Sequence, residues 1–450
     1  MEERRGVRLG FLGNVNLVVM TYVASAGLTF VVGVLLARAL GPEGRGLYSL
    51  FLLSVSLVQA VLSLGVGVSA IYYIGKKTYT LRQIVSNSQF VVLASAVVSG
   101  LLVLLAAPII GGRLLDRDVP YWVFAFAVPL FLNFNVLTAV LLGGSRFLAM
   151  NLVILVQPLV MLVMMSTGMA VGDLDTGAVL VLWSLATLAA VLVGLRLVGF
   201  EHIHLPTVLV PDWRALRAQV RFGVQAQIGN VTQLLNYRLD SFIVLLFVST
   251  AGVGYYAVAN GLTQGIWFIA NAVAVVLLPL LTGARKEDAA RLTPLVCRNT
   301  LLVSALGAVA LGAVSPVLVE ALFGGEFSPA VAPLLWLLPG TVALSGSKIL
   351  ASYIFSQGKP LINSYVTLAS LAVTLAADFI LIPPFGVEGA AAASSLAYST
   401  HLALSLIMYR RVSGQSIGDA LLVRASDVRL YLDLARGWRA RLVPQAGPRG

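Results

Sequence analysis

Long apolar stretches alternate with short polar connections along the whole chain, and this pattern predicts membrane-spanning helices. Each stretch has roughly the 20 residues that an α-helix needs to cross the hydrocarbon core of a bilayer. Gly, Pro or charged residues separate neighbouring stretches. We predict twelve spans, at approximately residues 11–36, 47–74, 85–110, 121–142, 147–169, 178–195, 222–248, 253–281, 301–323, 331–355, 362–382 and 389–408.

Composition supports this interpretation and excludes a soluble enzyme. The 450 residues are 59% hydrophobic and 11% charged, whereas soluble domains carry about 25% charged residues. The predicted fold class is therefore an all-α polytopic membrane protein. Cys297 is the single cysteine and the three histidines are scattered along the chain. We thus expect no disulfide, no metal site and no cofactor.

The positive charge of the chain predicts its orientation in the membrane. The formal net charge is +11, but the Lys and Arg residues lie in short connections rather than in one soluble patch, which argues against nucleic acid as a partner. If the N-terminus is cytoplasmic, the inner segments hold 24 of the 30 basic residues, and the outer loops hold four, namely Arg38, Arg45, Arg113 and Arg117. This asymmetry predicts a multi-pass protein of the plasma or inner membrane with both termini in the cytoplasm.

The chain divides into two predicted lobes of six spans each. We assign residues 1–198 to the first lobe, 199–221 to a cytoplasmic inter-lobe loop, 222–408 to the second lobe and 409–450 to a cytoplasmic tail. The loop is expected to contain an interfacial helix at Asp212–Arg217, and the tail an amphipathic helix at 427–442 or a solvated segment.

A short repeat supports the two lobes. Gly44-x-Gly46-x-Tyr48 follows span 1, and Gly252-x-Gly254-x-Tyr256 follows span 7, 208 positions later. Six spans return the chain to its starting side, so we expect a pseudo-two-fold axis along the membrane normal and a central cavity.

Span 7 carries the most polar residues of any span and is the first candidate for the lining of that cavity. At 100° per residue, Asn230, Gln233, Tyr237 and Asp240 share one helical stripe, and Arg238 lies about 60° beyond its edge. Asn236 in span 7 and Asn271 in span 8 add hydrogen-bonding groups of the kind that sugars need. Each amide could instead bridge neighbouring helices.

Two basic residues inside spans suggest an anionic substrate. Arg238 lies near the middle of span 7, where an unpaired charge is costly, and Lys348 lies in span 10. Together they favour phosphate over a cationic drug. A local ion pair of Arg238 and snorkelling of Lys348 to the interface are the structural alternatives, and Arg38, after span 1, could equally be an interfacial anchor.

Acidic residues are the candidates for coupling transport to an ion. Asp240 is the deepest and is the one that we select, because burial disfavours its charged form. Asp378 and Glu320 lie near the outer ends of spans and are expected to be solvated.

Four segments resemble polysaccharide flippases of the multidrug, oligosaccharidyl-lipid and polysaccharide exporter superfamily. These are Leu35–Tyr48 (LLARALGPEGRGLY), Asn236–Asp240 (NYRLD), Gln357–Pro360 (QGKP) and Leu381–Ala391 (LIPPFGVEGAA). The resemblance implies two six-helix lobes and movement of a polyprenyl-diphosphate-linked oligosaccharide to the outer leaflet by alternating access. Basic cavity residues would bind the diphosphate, with Arg238, Lys348 and Arg38 at candidate positions. The implied partners are this lipid, membrane lipids and polysaccharide polymerase or assembly proteins, as in O-antigen and other surface polysaccharide synthesis.

Other functions fit the sequence less well. A cation-coupled multidrug exporter of the same superfamily should place an acidic pocket in one lobe, which the basic pair opposes. A major-facilitator transporter usually has a Gly-x-x-x-Asp-Arg-like loop after span 2, and residues 75–80 lack it. A membrane-embedded polymerase generally needs a large outer loop, and the predicted outer loops are short. The glycan, the coupling ion and the oligomeric state stay open.

Overall fold

The chain is α-helical throughout the part that the structure, a computed structural model, describes, namely residues 2–110, 121–172, 174–199, 208–422 and 424. No β-strand occurs in these ranges. In chain order the helices are α1 (Glu2–Leu62), α2 (Val66–Lys76), α3 (Leu81–Ile110), α4 (Tyr121–Gly143), α5 (Phe147–Val171), α6 (Thr176–Val198), α7 (Trp213–Phe247), α8 (Thr250–Gly283), α9 (Lys286–Phe323), a 3-10 turn (Gly325–Ala330), α10 (Val331–Ser356), α11 (Pro360–Ser413) and α12 (Ile417–Leu421).

These helices account for the predicted spans. In the described ranges, nine stretches are long and apolar enough to cross a membrane. Two of them, Met20–Leu62 and Pro360–Ser413, each hold most of two predicted spans. Helix α7 is not among the nine, because its polar residues lower its hydropathy. The all-α polytopic fold class predicted from the sequence is confirmed.

Glycine and proline form the sharp corners within the two longest helices. Gly41 in α1 has φ 63° and ψ −174°, and Pro42 follows it. Gly386 in α11 has φ 59° and follows Pro383 and Pro384. The left-handed φ costs glycine nothing at either corner, and at the first corner Pro42 occupies the first position of the next helix, to which proline is well suited. Spans 1 and 2 are therefore joined by a one-residue corner, and so are spans 11 and 12.

Predicted span 2 is interrupted where it meets α7. The break lies between α1 and α2 at Ser63–Gly65, with positive φ at Leu64 and Gly65. A Cβ at Gly65 would lie 2.2 Å from the carbonyl oxygen of Gly223 in α7, so only glycine permits this approach. The polar start of α7 and the N-terminal helices thus pack backbone against backbone.

The predicted interfacial helix at Asp212–Arg217 is not a separate element. The Asp212 carboxylate accepts hydrogen bonds from the backbone N–H groups of Arg214 and Ala215, and the helix that it caps continues from Trp213 to Phe247. Residues 200–207 of the inter-lobe loop and the tail helix predicted at 427–442 lie outside the described residues.

The described chain forms two compact units. The first unit comprises the residues up to Gly261, Pro316–Pro333 and Leu375–Ala391, and the second comprises Leu262–Ser315, Leu334–Thr374 and the residues from Ala392 onward. Each unit has its own buried apolar cluster, for example around Leu137 in the first and around Tyr353 in the second. The predicted lobe boundaries at 198 and 222 remain a prediction.

Candidate functional site

Arg238 lies on α7 in the first unit, and its guanidinium has no carboxylate partner among the described residues. The side chain is half-buried, and neither an ion pair nor a hydrogen bond holds it within the described ranges. The local ion pair considered as its structural alternative is therefore absent there. Asp240, two residues further along α7, accepts hydrogen bonds from other groups, as described below.

Arg45 is a second guanidinium in the same unit, and the sequence analysis missed it. We had assigned it to an outer loop, but it lies in the helix that begins at Pro42, half-buried. Its Cζ is 5.6 Å from the centre of the Tyr48 ring, and it reaches Gly33, where a Cβ would lie 3.8 Å from its terminal nitrogen. Its Nε is enclosed and has no hydrogen-bond partner in the described part of the chain.

Arg45 and Arg238 both lie in the first unit, and neither guanidinium has a carboxylate partner among the described residues. A charge without a partner is costly in a membrane-embedded protein. An anionic ligand would remove this cost, so both groups are suited to binding phosphate.

The predicted polar stripe of α7 divides into an exposed and a buried part. Asn230 and Gln233 are exposed, and the Gln233 amide donates to the Tyr237 hydroxyl at 3.1 Å. Asn236 is buried and does not belong to this exposed surface. The exposed groups can bind a hydroxylated ligand without breaking a buried network.

Asp240 is buried and forms a cluster with a second carboxylate. Its side chain accepts hydrogen bonds from the Tyr256 hydroxyl and, at 2.7 Å, from the backbone N–H of Ser241. Asp378, which we expected to be solvated, is 0% exposed, and neither of its carboxylate oxygens has a hydrogen-bond partner among the described residues. The expectation was wrong because this part of α11 packs within the first unit, which encloses the side chain.

Lys348 and Asn271, both predicted site residues, meet in the second unit. The Lys348 ammonium donates to Asn271 Oδ1 at 2.7 Å and lies 5.2 Å from the centre of the Trp267 ring. Both contacts orient the cation, since an ammonium over an indole face is attracted by the ring. Lys348 is thus held by neighbouring side chains.

Arg38 is engaged elsewhere in the first unit. Its Nε donates to the carbonyl oxygen of Leu322 at 2.7 Å, and a terminal nitrogen donates to that of Ala321. These carbonyls end helix α9 and have no partner within the helix. The contact is a helix cap, and the substrate-binding role of Arg38 remains a prediction.

The fold is that of a polytopic membrane protein, and comparison with known proteins gives its family. Residues 11–285 match the polysaccharide biosynthesis protein family, which is more than half of the chain. The chain belongs to that family, so the resemblance stated from the sequence motifs is confirmed.

Individual relatives are consistent with this membership. The chain is 25% identical over 400 residues to the Lipid III flippase of Escherichia coli (strain K12), covering 86% of this chain and 95% of the relative. It is 22% identical over 198 residues to the probable low-salt glycan biosynthesis flippase Agl15 of Haloferax volcanii, covering 43% of this chain and 42% of that protein.

Solved structures with the same architecture support the fold. The Lipid II flippase MurJ in an inward closed conformation superposes with a TM-score of 0.72 at 12% identity, covering 95% of this chain and 99% of MurJ. An inward-facing multidrug resistance MATE family transporter of the MOP superfamily gives a TM-score of 0.69 at 13% identity, covering 87% and 95%. The protein thus has the two-lobe, twelve-helix fold of these transporters.

Proposed function

We propose that this protein is a flippase that moves a polyprenyl-diphosphate-linked oligosaccharide from the cytoplasmic to the outer leaflet by alternating access. The flippase function predicted from the sequence is confirmed by the family and by the flippases among its relatives. The cytoplasmic termini and the inner membrane location are proposed from the positive-inside asymmetry of the sequence, and the direction of transport is proposed from the resemblance to polysaccharide flippases.

The Arg45 and Arg238 pair is the observation that carries the substrate proposal. Guanidinium groups form paired hydrogen bonds to phosphate oxygens, and such charge-assisted bonds are roughly twice as strong as neutral ones. Because neither cation has a carboxylate partner in the described ranges, a diphosphate offers both of them a counter-charge. We assign the diphosphate to this pair.

Sugar recognition is assigned to the exposed polar groups on α7. Asn230, Gln233 and Tyr237 offer donors and acceptors close in sequence to Arg238. Lys348 and Asn271 form a separate polar cluster in the second unit, which we propose as a further substrate-binding position. Asn236, being buried, is proposed to support α7.

Asp240 is the proposed coupling residue. A buried carboxylate is retained in a membrane protein at a cost and is a functional candidate by default. Its neighbour Asp378 has no hydrogen-bond partner in the described residues, so a proton or a monovalent cation would relieve the repulsion between the two. Coupling would consist of the uptake and release of that ion.

No covalent chemistry is needed for this function, so we propose a transporter without enzymatic activity. Its substrate must be made at the cytoplasmic face and consumed at the outer face. Polymerase or assembly proteins are therefore proposed partners, and nucleic acid is not.

A ligand panel on the purified protein tests this substrate class against that of a drug exporter. We expect a short-chain polyprenyl-diphosphate sugar to raise the unfolding temperature, the matching monophosphate to raise it less, and a lipophilic cation such as ethidium not to raise it. Preferential stabilisation by the cation would contradict the proposal and favour the multidrug exporter.

A further inference from the structure

The first residues of helices α3 and α7 are joined through their helix caps in the first unit. At the start of α3, the Gln83 side-chain oxygen accepts from the backbone N–H of Thr80 at 3.0 Å, and the Gln83 N–H donates to the Thr80 hydroxyl at 3.2 Å, which together form a capping box. The Gln83 amide nitrogen also donates to Asp212 Oδ2 at 2.9 Å, while Oδ1 of Asp212 caps α7. Asn87 Oδ1 accepts from the backbone N–H of Asp212 at 3.1 Å. These bonds hold the two helix starts side by side.

The end of α2 packs against the same part of α7. The Tyr72 ring stacks on Phe222, with ring centres 4.3 Å apart. The Tyr73 hydroxyl lies 3.4 Å from the carbonyl oxygen of Ala218, and its ring centre lies 5.3 Å from that of Tyr79, which precedes α3. The end of α2, its connection to α3 and the start of α7 therefore form one continuous surface.

Six exposed basic side chains lie on these segments, and we call them the basic surface. They are Lys76, Lys77, Arg82, Arg214, Arg217 and Arg221. At 100° per residue, the three arginines of α7 fall within a stripe about 60° wide. The buried residues Ala215, Leu216 and Gln219 lie on the opposite side of the helix. Helix α7 thus turns its arginines away from the protein interior.

The segments that form the basic surface carry almost no acidic residues to balance it. Residues 44–115 and 213–239 contain no Asp or Glu, and both side-chain oxygens of Asp212 already accept hydrogen bonds. Lys76 Nζ lies 5.4 Å from the centre of the Tyr72 ring. Within the described ranges, none of the six basic groups has an ion pair or a hydrogen bond. Their charges are therefore available to an external anion.

Exposed apolar side chains border the basic surface where α7 begins. Leu209, Val210 and Trp213 are 56%, 71% and 66% exposed, and the Trp213 ring centre lies 5.9 Å from that of Phe90 in α3. Tryptophan is typical of the headgroup level of a bilayer, and segments that lie on a membrane combine Leu and Trp with Lys and Arg. A membrane surface would cover the apolar side chains and neutralise the charges together, whereas a free anion would only neutralise the charges.

We propose that the basic surface binds the phosphate groups of anionic phospholipids in the cytoplasmic leaflet, with Trp213 at the level of the headgroups. In the proposed topology these segments face the cytoplasm, and anionic lipids attract Lys and Arg near a membrane surface. This inference goes beyond the transport function, since the substrate diphosphate is assigned to Arg45 and Arg238. It gives a ligand to residues that the substrate-binding site does not use.

A fluorophore placed beside the basic surface tests this lipid selectivity. Val210→Cys is labelled in a Cys297→Ser background, and the full-length protein is reconstituted in phosphatidylcholine nanodiscs. These contain increasing amounts of nitroxide-labelled phosphatidylglycerol or, for comparison, nitroxide-labelled phosphatidylcholine. We expect half-maximal quenching at an about tenfold lower mole fraction of the phosphatidylglycerol. High salt should reduce this preference, because it screens exposed charges.

Two triple variants with the same change in net charge identify the binding surface. The first combines Lys77→Gln, Arg82→Gln and Arg217→Gln. Its half-maximal quenching by the two lipids should differ by no more than about twofold. The control removes three exposed charges around the start of α9 and combines Arg285→Gln, Lys286→Gln and Arg291→Gln. It should keep the tenfold preference, because Glu287 and Asp288 already offset the positive charge there.

Equal quenching by the two lipids in the labelled parent would overturn the proposal and leave the surface to an acidic soluble partner. An equal loss of preference in both triple variants would also overturn it, since net charge alone would then be responsible. Displacement of phosphatidylglycerol by an equimolar amount of short-chain polyprenyl-diphosphate sugar, or of inorganic diphosphate, would instead assign the surface to the substrate or to free phosphate. If the first triple variant does not fold, Arg217→Gln alone decides the question, with an expected loss of about twofold to fivefold.

Discussion

Replacing Arg45 by Ala gives a sharp test of the diphosphate site, because binding and stability should respond differently. A hydrogen bond to a charged group contributes about 1.5–3 kcal/mol, so losing one guanidinium should weaken diphosphate binding about 10- to 150-fold. The empty protein loses the contact with the Tyr48 ring, worth about 0.5–2 kcal/mol, and no longer encloses the Arg45 Nε without a hydrogen-bond partner. These terms oppose each other, so the free energy of unfolding should change by no more than about 1 kcal/mol.

The assay compares ligand-induced stabilisation across matched variants. Arg45→Ala and Arg238→Ala should each lose most of the rise in unfolding temperature caused by a short-chain polyprenyl-diphosphate sugar. Arg45→Lys should retain an intermediate response, because lysine keeps the charge and loses the paired geometry. Arg221→Ala is the control, because Arg221 lies on α7, as Arg238 does, and is exposed.

One pattern of results would refute this reasoning. If Arg45→Ala lowered the stability of the empty protein while diphosphate binding stayed at the wild-type level, Arg45 would be a structural residue. The positive charges of Arg45 and Arg238 would then have to be balanced by a group other than the substrate.

Three further predictions concern the remaining polar residues and one backbone position. Asp240→Asn should abolish the dependence of transport on an imposed proton or sodium gradient while exchange without a gradient continues, and an unchanged dependence would exclude Asp240 from coupling. Lys348→Gln should slow transport in proteoliposomes while Lys348→Arg retains most of it, since the charge near Asn271 is the feature required; equal rates would remove Lys348 from the site. Gly65→Ala should lower the free energy of unfolding by more than about 2 kcal/mol, from the left-handed φ and the approach to Gly223, whereas Gly75→Ala, with no atom within 4 Å, should not destabilise the protein.

The spans could be predicted from the sequence because hydrophobic length and helical geometry determine them. The corners could not, because a Gly or Pro in an apolar run is compatible with a loop, a kink or a continuing helix. At Gly41 and Pro42 we expected a loop, and the structure needs only one residue to turn the chain. Because of this difference, Arg45 is half-buried in a helix rather than exposed in a loop, and the sequence analysis did not select it as a candidate. The Gly-Pro pair itself was the available signal, since proline is favoured at the first position of a helix.

The burial of charged groups was the second feature that could not be predicted reliably from the sequence. Asp378 lies near the end of a predicted span, where distance along the helix suggests solvent, but packing of neighbouring elements encloses it. Asp240 was correctly expected to be deep because it lies mid-span. The repeat around Gly46 and Gly254 was visible in the sequence, whereas the backbone contact between its two copies required coordinates.

A leaflet-resolved translocation assay in proteoliposomes tests the central claim most directly. A fluorescent polyprenyl-diphosphate oligosaccharide is incorporated into the vesicles, and its protection from an externally added glycosidase is followed over time. We predict that the wild-type protein moves the lipid between leaflets and that folded Arg45→Ala and Arg238→Ala variants move it at least about tenfold more slowly. If the wild-type protein leaves the lipid in its original leaflet but exports a cationic dye against a proton or sodium gradient, the flippase account is contradicted.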